Sequence, residues 1–249
     1  MNLTNKNIVI VGGAGRVGSY IRDGLVTYGA NIFVISRSVI SVRDSNPYYY
    51  NCDATQYSEL SNIFHRIINS HGPVSGLVNC ASYRPFSNSE ALISENNIEL
   101  WSQSIVQNSL LLHVPTQIFL ENILELNIPG SVVTISSIYG LVGPKFSIYR
   151  NTSLTTEPDY AYNKSASIGY TRYMSSRYAK SKIRFNLLTP GGFLSDQDPL
   201  FVQQYSDFVP LGRMAISDDI SAITALLLSD QASYITGTVI PVDGGWTAI

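Results

Sequence analysis

Along this chain, short runs of apolar and mostly β-branched residues alternate with longer stretches whose apolar residues recur every three or four positions. The first run, NIVIVGG at 7–13, is closed by glycines and predicts a buried strand. Val17, Ile21, Leu25 and Tyr28 then return at helical spacing, with Gly29 as the stop. A second strand is expected in ANIFVISR, 30–37, followed by a helix over 56–70. The alternation continues with a strand in SGLVNCAS (75–82), a helix over about 97–126, a strand in SVVTISS (131–137) and a helix over about 160–180. The strand IRFNLLTP (183–190), a helix near 217–228 and the strand GTVIPV (237–242) complete the series.

Strands that alternate with helices require right-handed crossovers, and so a parallel sheet with helices on both faces. The expected fold is therefore α/β and doubly wound, a Rossmann arrangement in a single domain over 1–249. Two long, turn-rich segments break the rhythm, 141–159 and 191–212, and each follows a strand. Ligands in open α/β sheets bind beyond the carboxyl ends of strands, so both segments are candidate substrate loops.

Composition removes several classes of function. Charged residues make up only 14%, against about a quarter in typical domains, and the formal net charge is -2. With no basic face for a phosphate backbone, nucleic acid is not an expected partner. Cys52 and Cys80 are far apart and form no C-x-x-C, which argues against a disulfide framework or a zinc site. No apolar run approaches bilayer length, and the first residues lack the pattern of a secretion signal. A cytoplasmic protein that does not enter a membrane, with a small molecule as substrate, is expected.

The first candidate site is VIVGGAGRVGSYI, 9–21, where Gly13, Gly15 and Gly18 form G-x-G-x-x-G between a predicted strand and a predicted amphipathic helix. A side chain in this turn would hold the backbone away from a pyrophosphate, whose charge a helix N-terminus favours. A dinucleotide site is expected. NAD sites usually carry an acidic residue at the end of the second strand, but here the residues are Ser36 and Arg37. Arginine offers a planar fork to a 2′-phosphate, and Arg16 adds a second cation, so NADP(H) is favoured over NAD(H).

The second candidate is Tyr160 with Lys164, which share one face of a helix at i and i+4. For a tyrosine to work as acid or base near neutrality, its pKa must fall by some three units from about 10, a cost of roughly 4 kcal/mol. One ammonium about 4 Å away supplies approximately that much at an effective dielectric near 20. Tyr178 and Lys182 repeat the spacing, but at the exit of the helix, where basic residues usually cap carbonyls. Tyr160 is therefore the expected acid/base and Tyr178 the decoy.

Taken together, GGAGRVG, CDA at 52–54, LVNCAS, Asn108 after Trp101, ISS, YAYNK, TPGG and ASYITGTVIPVDGG resemble the short-chain dehydrogenase/reductase family nearly end to end. The resemblance implies Tyr160 as proton donor and acceptor, Lys164 lowering its pKa and holding the nicotinamide ribose, and Ser137 bonding the reacting oxygen. It implies that Asn108 positions a water relaying protons to Lys164, that Asp53 meets the adenine, and that Asn79 lines the cofactor groove. Gly12, Gly15, Arg16, Val17, Gly18, Ser36, Arg37, Ala81, Pro190 and Gly191 complete the implied cofactor set. Val11 stands where the family has a small hydroxyl residue, and the spacing of Gly12, Gly15 and Gly18 is similar to that of the larger, sugar-nucleotide-acting branch. The resemblance also implies a homodimer or homotetramer.

Ser137 and Tyr160 are 23 residues apart, about twice the family's usual separation. The intervening PKFSIYRNTSLTTEP brings Lys145, Tyr149, Arg150, Asn151 and several hydroxyls beside the reacting centre, chemistry suited to a polyol or phosphate. Tyr149 and Arg150 are the candidate substrate contacts. The insert, with its F-x-I-Y core, is similar to that of reductases of legionaminic-acid-like surface sugars, so a sugar or nucleotide-sugar carbonyl or hydroxyl is the expected substrate. A 3-ketoacyl-carrier-protein reductase, a dehydratase or epimerase that retains its cofactor, and a non-catalytic NADP(H)-sensing protein remain alternatives. No metal site is expected.

Overall fold

In the computed structural model, which describes residues 1–38, 46–85 and 96–249, the expected alternation becomes a seven-stranded sheet. β1 (Asn7–Val11) lies between β2 (Asn31–Ile35) and β4 (Val74–Asn79). β3 (Tyr48–Tyr50) flanks β2, and β5 (Gly130–Ile135), β6 (Ile183–Pro190) and β7 (Val239–Val242) extend the other side. The order is 3-2-1-4-5-6-7, and every pairing of these strands is parallel. The chain winds one way from β1 and the other way from β4, so a crevice opens between them at the carboxyl edge.

The apolar runs are continuous because both faces of the sheet are covered. Val9, Val11, Phe33, Ile35 and Leu77 face α2 (Tyr57–His71), α3 (Asn96–Glu125) and α4 (Pro158–Tyr178), where Phe64, Phe119 and Phe185 fill the layer. Ile8, Ile10, Ile32, Val34 and Val78 face α1 (Arg16–Thr27) and α6 (Ser217–Leu228), through Ile21, Leu25, Ile220 and Leu227. Each fully buried ring contributes substantially, since Phe→Ala in such a layer costs about 3–5 kcal/mol.

A third cluster covers the carboxyl edge: Ile138, Tyr139, Ile148, Phe201, Tyr205, Val209, Met214 and Trp246. It joins the two long segments, which are less irregular than the sequence predicts. Residues 146–149 form a 3-10 turn, and α5 (Pro199–Ser206) begins with Asp198 Oδ1 accepting from the Leu200 amide at 2.8 Å. β3 was not anticipated either. Its three tyrosines are all half-buried, so they show no alternation, and Tyr48 stacks on Phe33 with centroids 5.1 Å apart. α4 ends at Tyr178, two residues short of expectation, and a 3-10 turn carries the chain to Lys182 in the left-handed region, φ +60°.

Candidate active site

The crevice holds a cavity of about 730 Å³ that runs from the turn after β1 to the third cluster. At its floor, Gly12 has φ +84°, and a Cβ there would lie 2.6 Å from the Ala81 amide nitrogen. A Cβ on Gly18 would lie 2.2 Å from the Gly12 carbonyl oxygen, so the turn can close only with glycine. Gly12, Gly15 and Gly18 line the cavity, whereas Gly13 packs inward against Ile10 and Val34. Gly15 caps α1 without a side chain, so the first amides of that helix have no side-chain partner at the cap. This floor fits a pyrophosphate: the backbone is bare and the helix end is positive.

Arg16, Val17, Ser36, Arg37, Asp53, Ala81, Pro190 and Gly191 also line the cavity, as expected. Asp53 Oδ1 accepts from the Thr55 amide and hydroxyl at 3.0 and 2.8 Å, and Arg37 Nη1 lies 3.9 Å from its other oxygen. Arg37 is 61% exposed, so this wide ion pair is weak and leaves the guanidinium open to a ligand.

At the other end, Pro158 starts α4 and puts Tyr160 in its first turn, with Lys164 one turn further in. Lys164 Nζ donates to the Ile135 carbonyl at 3.1 Å and sits 5.6 Å from the Tyr160 ring centre. Ser136 and Ser137, which follow β5, divide the work. Ser136 Oγ donates to the Lys164 carbonyl at 2.8 Å and ties β5 to α4, while Ser137 faces Tyr160 and lines the cavity. Arg84 stacks over the Tyr160 ring with Cζ 4.3 Å from its centre.

Four tyrosines gather here. Burial pushes the phenols of Tyr139, Tyr149 and Tyr205 up. Burial also pushes Tyr160 up, but the charges of Lys164 and Arg84 and a hydrogen bond with Ser137 outweigh it, and its pKa falls below that of an ordinary tyrosine. Among these four, Tyr160 is the one phenol whose pKa lies below that of an ordinary tyrosine.

Three expected residues stand elsewhere. Asn79 does not line the groove: as the last residue of β4 it turns toward α3, is buried, and donates to Thr116 Oγ1 at 3.0 Å. Arg150 does not line the cavity either. The chain extends after the 3-10 turn, so Tyr149 points inward and its neighbour outward into solvent. Asn108 lies behind the wall, where Nδ2 donates to the Tyr83 and Ser104 carbonyls, both at 2.9 Å, and Oδ1 accepts from the Tyr83 amide at 3.0 Å. It pins the strand-end loop that carries Ser82 and Arg84. Sequence reasoning missed Arg84, Tyr139, Thr155, Thr156, Gln197 and Tyr205, all on the cavity wall. The signal for Arg84 was a cation two residues past the strand end SGLVNCAS.

The parallel sheet, the bare glycine floor and the tyrosine with a depressed pKa define a dinucleotide-dependent oxidoreductase. The family model described as Enoyl-(Acyl carrier protein) reductase matches residues 35–247, and the chain belongs to the short-chain dehydrogenase/reductase family. It is 26% identical over 261 residues to a 2,5-dichloro-2,5-cyclohexadiene-1,4-diol dehydrogenase of Sphingobium indicum, covering 100% of this chain and 99% of that protein. An L-rhamnose 1-dehydrogenase (NADP(+)) of Thermoplasma acidophilum is 27% identical, over 98% of this chain and 97% of that one. A solved short-chain dehydrogenase from Leptospira borgpetersenii with bound NAD+ superposes with a TM-score of 0.86 at 27% identity, covering 99% and 94% of the two chains. The chain is an oxidoreductase of C–OH and C=O groups on small molecules, with a nicotinamide dinucleotide as cofactor. No helix among the described residues is long and apolar enough to cross a membrane.

Proposed function

We propose that the chain is an NADP(H)-dependent oxidoreductase of a sugar or nucleotide sugar, working in the biosynthesis of surface glycans. The observation that carries this reading is the depressed phenol of Tyr160 in a cavity whose lining includes the hydroxyl and amide groups of Tyr139, Tyr149, Thr155, Thr156 and Gln197. Tyr160 gives its proton to the substrate oxygen in reduction and takes it back in oxidation. Ser137 holds that oxygen against the phenol, and Lys164 keeps the phenol acidic and bonds the cofactor ribose. The bound nicotinamide supplies or accepts the hydride.

The preference for NADP(H) rests on Arg16 and Arg37 beside the cavity, with Asp53 as a partial counter-charge, and the rhamnose-acting relative is named for NADP(+). The segments 141–159 and 191–212 serve as substrate loops. The exposed apolar side chains Val106, Tyr162 and Tyr173 on α3 and α4 support a homodimer or homotetramer through those helices, and the chain is assigned to the cytoplasm.

The test is a carbonyl panel of keto-sugars, nucleotide keto-sugars and acetoacetyl thioesters, assayed with NADPH and with NADH. The sugars should turn over faster than the thioesters, and NADPH should bind more tightly than NADH. Faster thioester reduction transfers the enzyme to acyl-chain metabolism, and tighter NADH binding reverses the cofactor assignment. Cofactor binding without oxidation by any carbonyl leaves a sensing protein.

A further inference from the structure

Beyond its charge and its hydrogen bond beside the Tyr160 phenol, Arg84 has no part in the roles assigned above. Its side chain is exposed on the cavity wall, and its guanidinium covers one face of Tyr160 at 4.3 Å. Among the described residues no carboxylate pairs with it. Among the described residues the cavity lining holds four cations, Arg16, Arg37, Arg84 and Lys164, against one acid, Asp53. Arg16, Arg37 and Asp53 lie at the glycine-turn end, so the positive charge left over is concentrated at the reacting end. Nor does Arg84 hang from a free loop: Asn108 clamps both the amide and the carbonyl of the preceding Tyr83. A cation with no carboxylate partner among the described residues, on an anchored stretch of backbone and facing a partly apolar cavity, is a site for an anion.

We infer that Arg84 selects a substrate carrying an anionic oxygen group, carboxylate or phosphate, on a carbon close to the one that reacts. The reacting oxygen must meet the phenol at the rim of the ring that the guanidinium covers, so the anion and the reacting carbon lie within a few bonds of each other. Arginine's fork then orients the substrate over Tyr160 as well as holding it. When the anion binds, it also offsets part of the positive charge that keeps the phenol acidic. This coupling shifts Tyr160 toward its protonated, proton-donating form in the loaded enzyme.

This inference deepens the sugar-oxidoreductase reading and rests on it. Its test offers matched sugars, neutral, phosphorylated and carboxylated, to the wild type and to Arg84→Met and Arg84→Lys, with kcat/KM measured at saturating NADPH. The wild type should prefer an anionic member, and Arg84→Met should cut the anionic-to-neutral ratio by about 10- to 100-fold, the worth of a charge-assisted hydrogen bond. Arg84→Lys should keep part of the preference, because it retains the charge and loses the fork. The phosphate and carboxylate arms identify which group is held. A wild-type preference for neutral sugars, or a ratio unchanged in Arg84→Met, overturns the inference and leaves the reductase standing. Turnover of no sugar at all defeats the reductase reading instead. In that event calorimetry with inorganic phosphate and with glycolate on the NADP+-saturated protein decides the anion site: binding to the wild type that weakens in Arg84→Met upholds it, and binding that is absent or unaltered overturns it.

Discussion

The two ends of α4 carry the same four-residue spacing of tyrosine and lysine and use it differently. At the start, Tyr160 and Lys164 both face the cavity, a helical turn apart, and the phenol is held acidic. At the finish, the helix stops at Tyr178, and Lys182 lies beyond a 3-10 turn in the left-handed region. Tyr178 packs on Phe185 with centroids 6.2 Å apart, among the residues under the sheet rather than at its edge. The spacing is therefore only a precondition. What separates the two ends is that the helix is unbroken across Tyr160 and Lys164 and brings both to the cavity.

The sharpest way to break this comparison is to remove each hydroxyl in turn. Tyr160→Phe should lower kcat by about 10²- to 10⁴-fold with cofactor affinity retained, whereas Tyr178→Phe should stay within about twofold of wild type. Comparable losses from both would mean that the wrong end has been chosen. The lysines come next. Lys164→Ala should reduce kcat about 10²-fold and weaken NADPH binding, while Lys182→Ala should leave both near wild type in fluorescence titration and steady-state assays.

The pH profile gives a smaller but more specific signal. With Tyr160 as the proposed base, oxidation should need the deprotonated phenol, so kcat/KM for the alcohol should fall as pH drops through the pKa of Tyr160. Because the charge of Arg84 helps to lower that pKa, Arg84→Met should move the limb to higher pH, and Lys180→Met, a cation at the far end of α4, should not move it. The smallest effect belongs to Lys182→Gly. Glycine accepts the left-handed backbone without strain but loses more entropy on folding, so thermal denaturation should show a gain of under about 1 kcal/mol and no change in turnover.

Most of the framework was legible because a buried parallel sheet writes itself as uninterrupted apolar runs, and a glycine floor has few substitutes. The choice between the two serines after β5 came from the family resemblance alone; in the fold both line the cavity, and Ser136 also ties β5 to α4. β3 escaped because three consecutive half-buried tyrosines carry neither a period of two nor a clean apolar run. The omission of α5 had no such excuse: Asp198 followed by Pro199 is a helix-start signal, hidden in a segment otherwise rich in turn residues. Asn79 and Arg150 sit beside residues that do line the cavity, and adjacent positions on extended chain face opposite ways. Arg84 lay outside every motif, and only the folded chain brings it over Tyr160.

Lys145 from the first long segment places its ammonium 4.6 Å from the Phe208 ring centre and 5.1 Å from that of Trp246, and Trp246 stacks on Tyr205 at 4.6 Å. Three stretches remote in sequence are thereby riveted at one aromatic hub, so the two walls around the substrate cannot drift independently. A lineage exchanging one substrate for another would have to remodel both walls together, which makes this hub, rather than any single contact, the unit in which specificity is inherited.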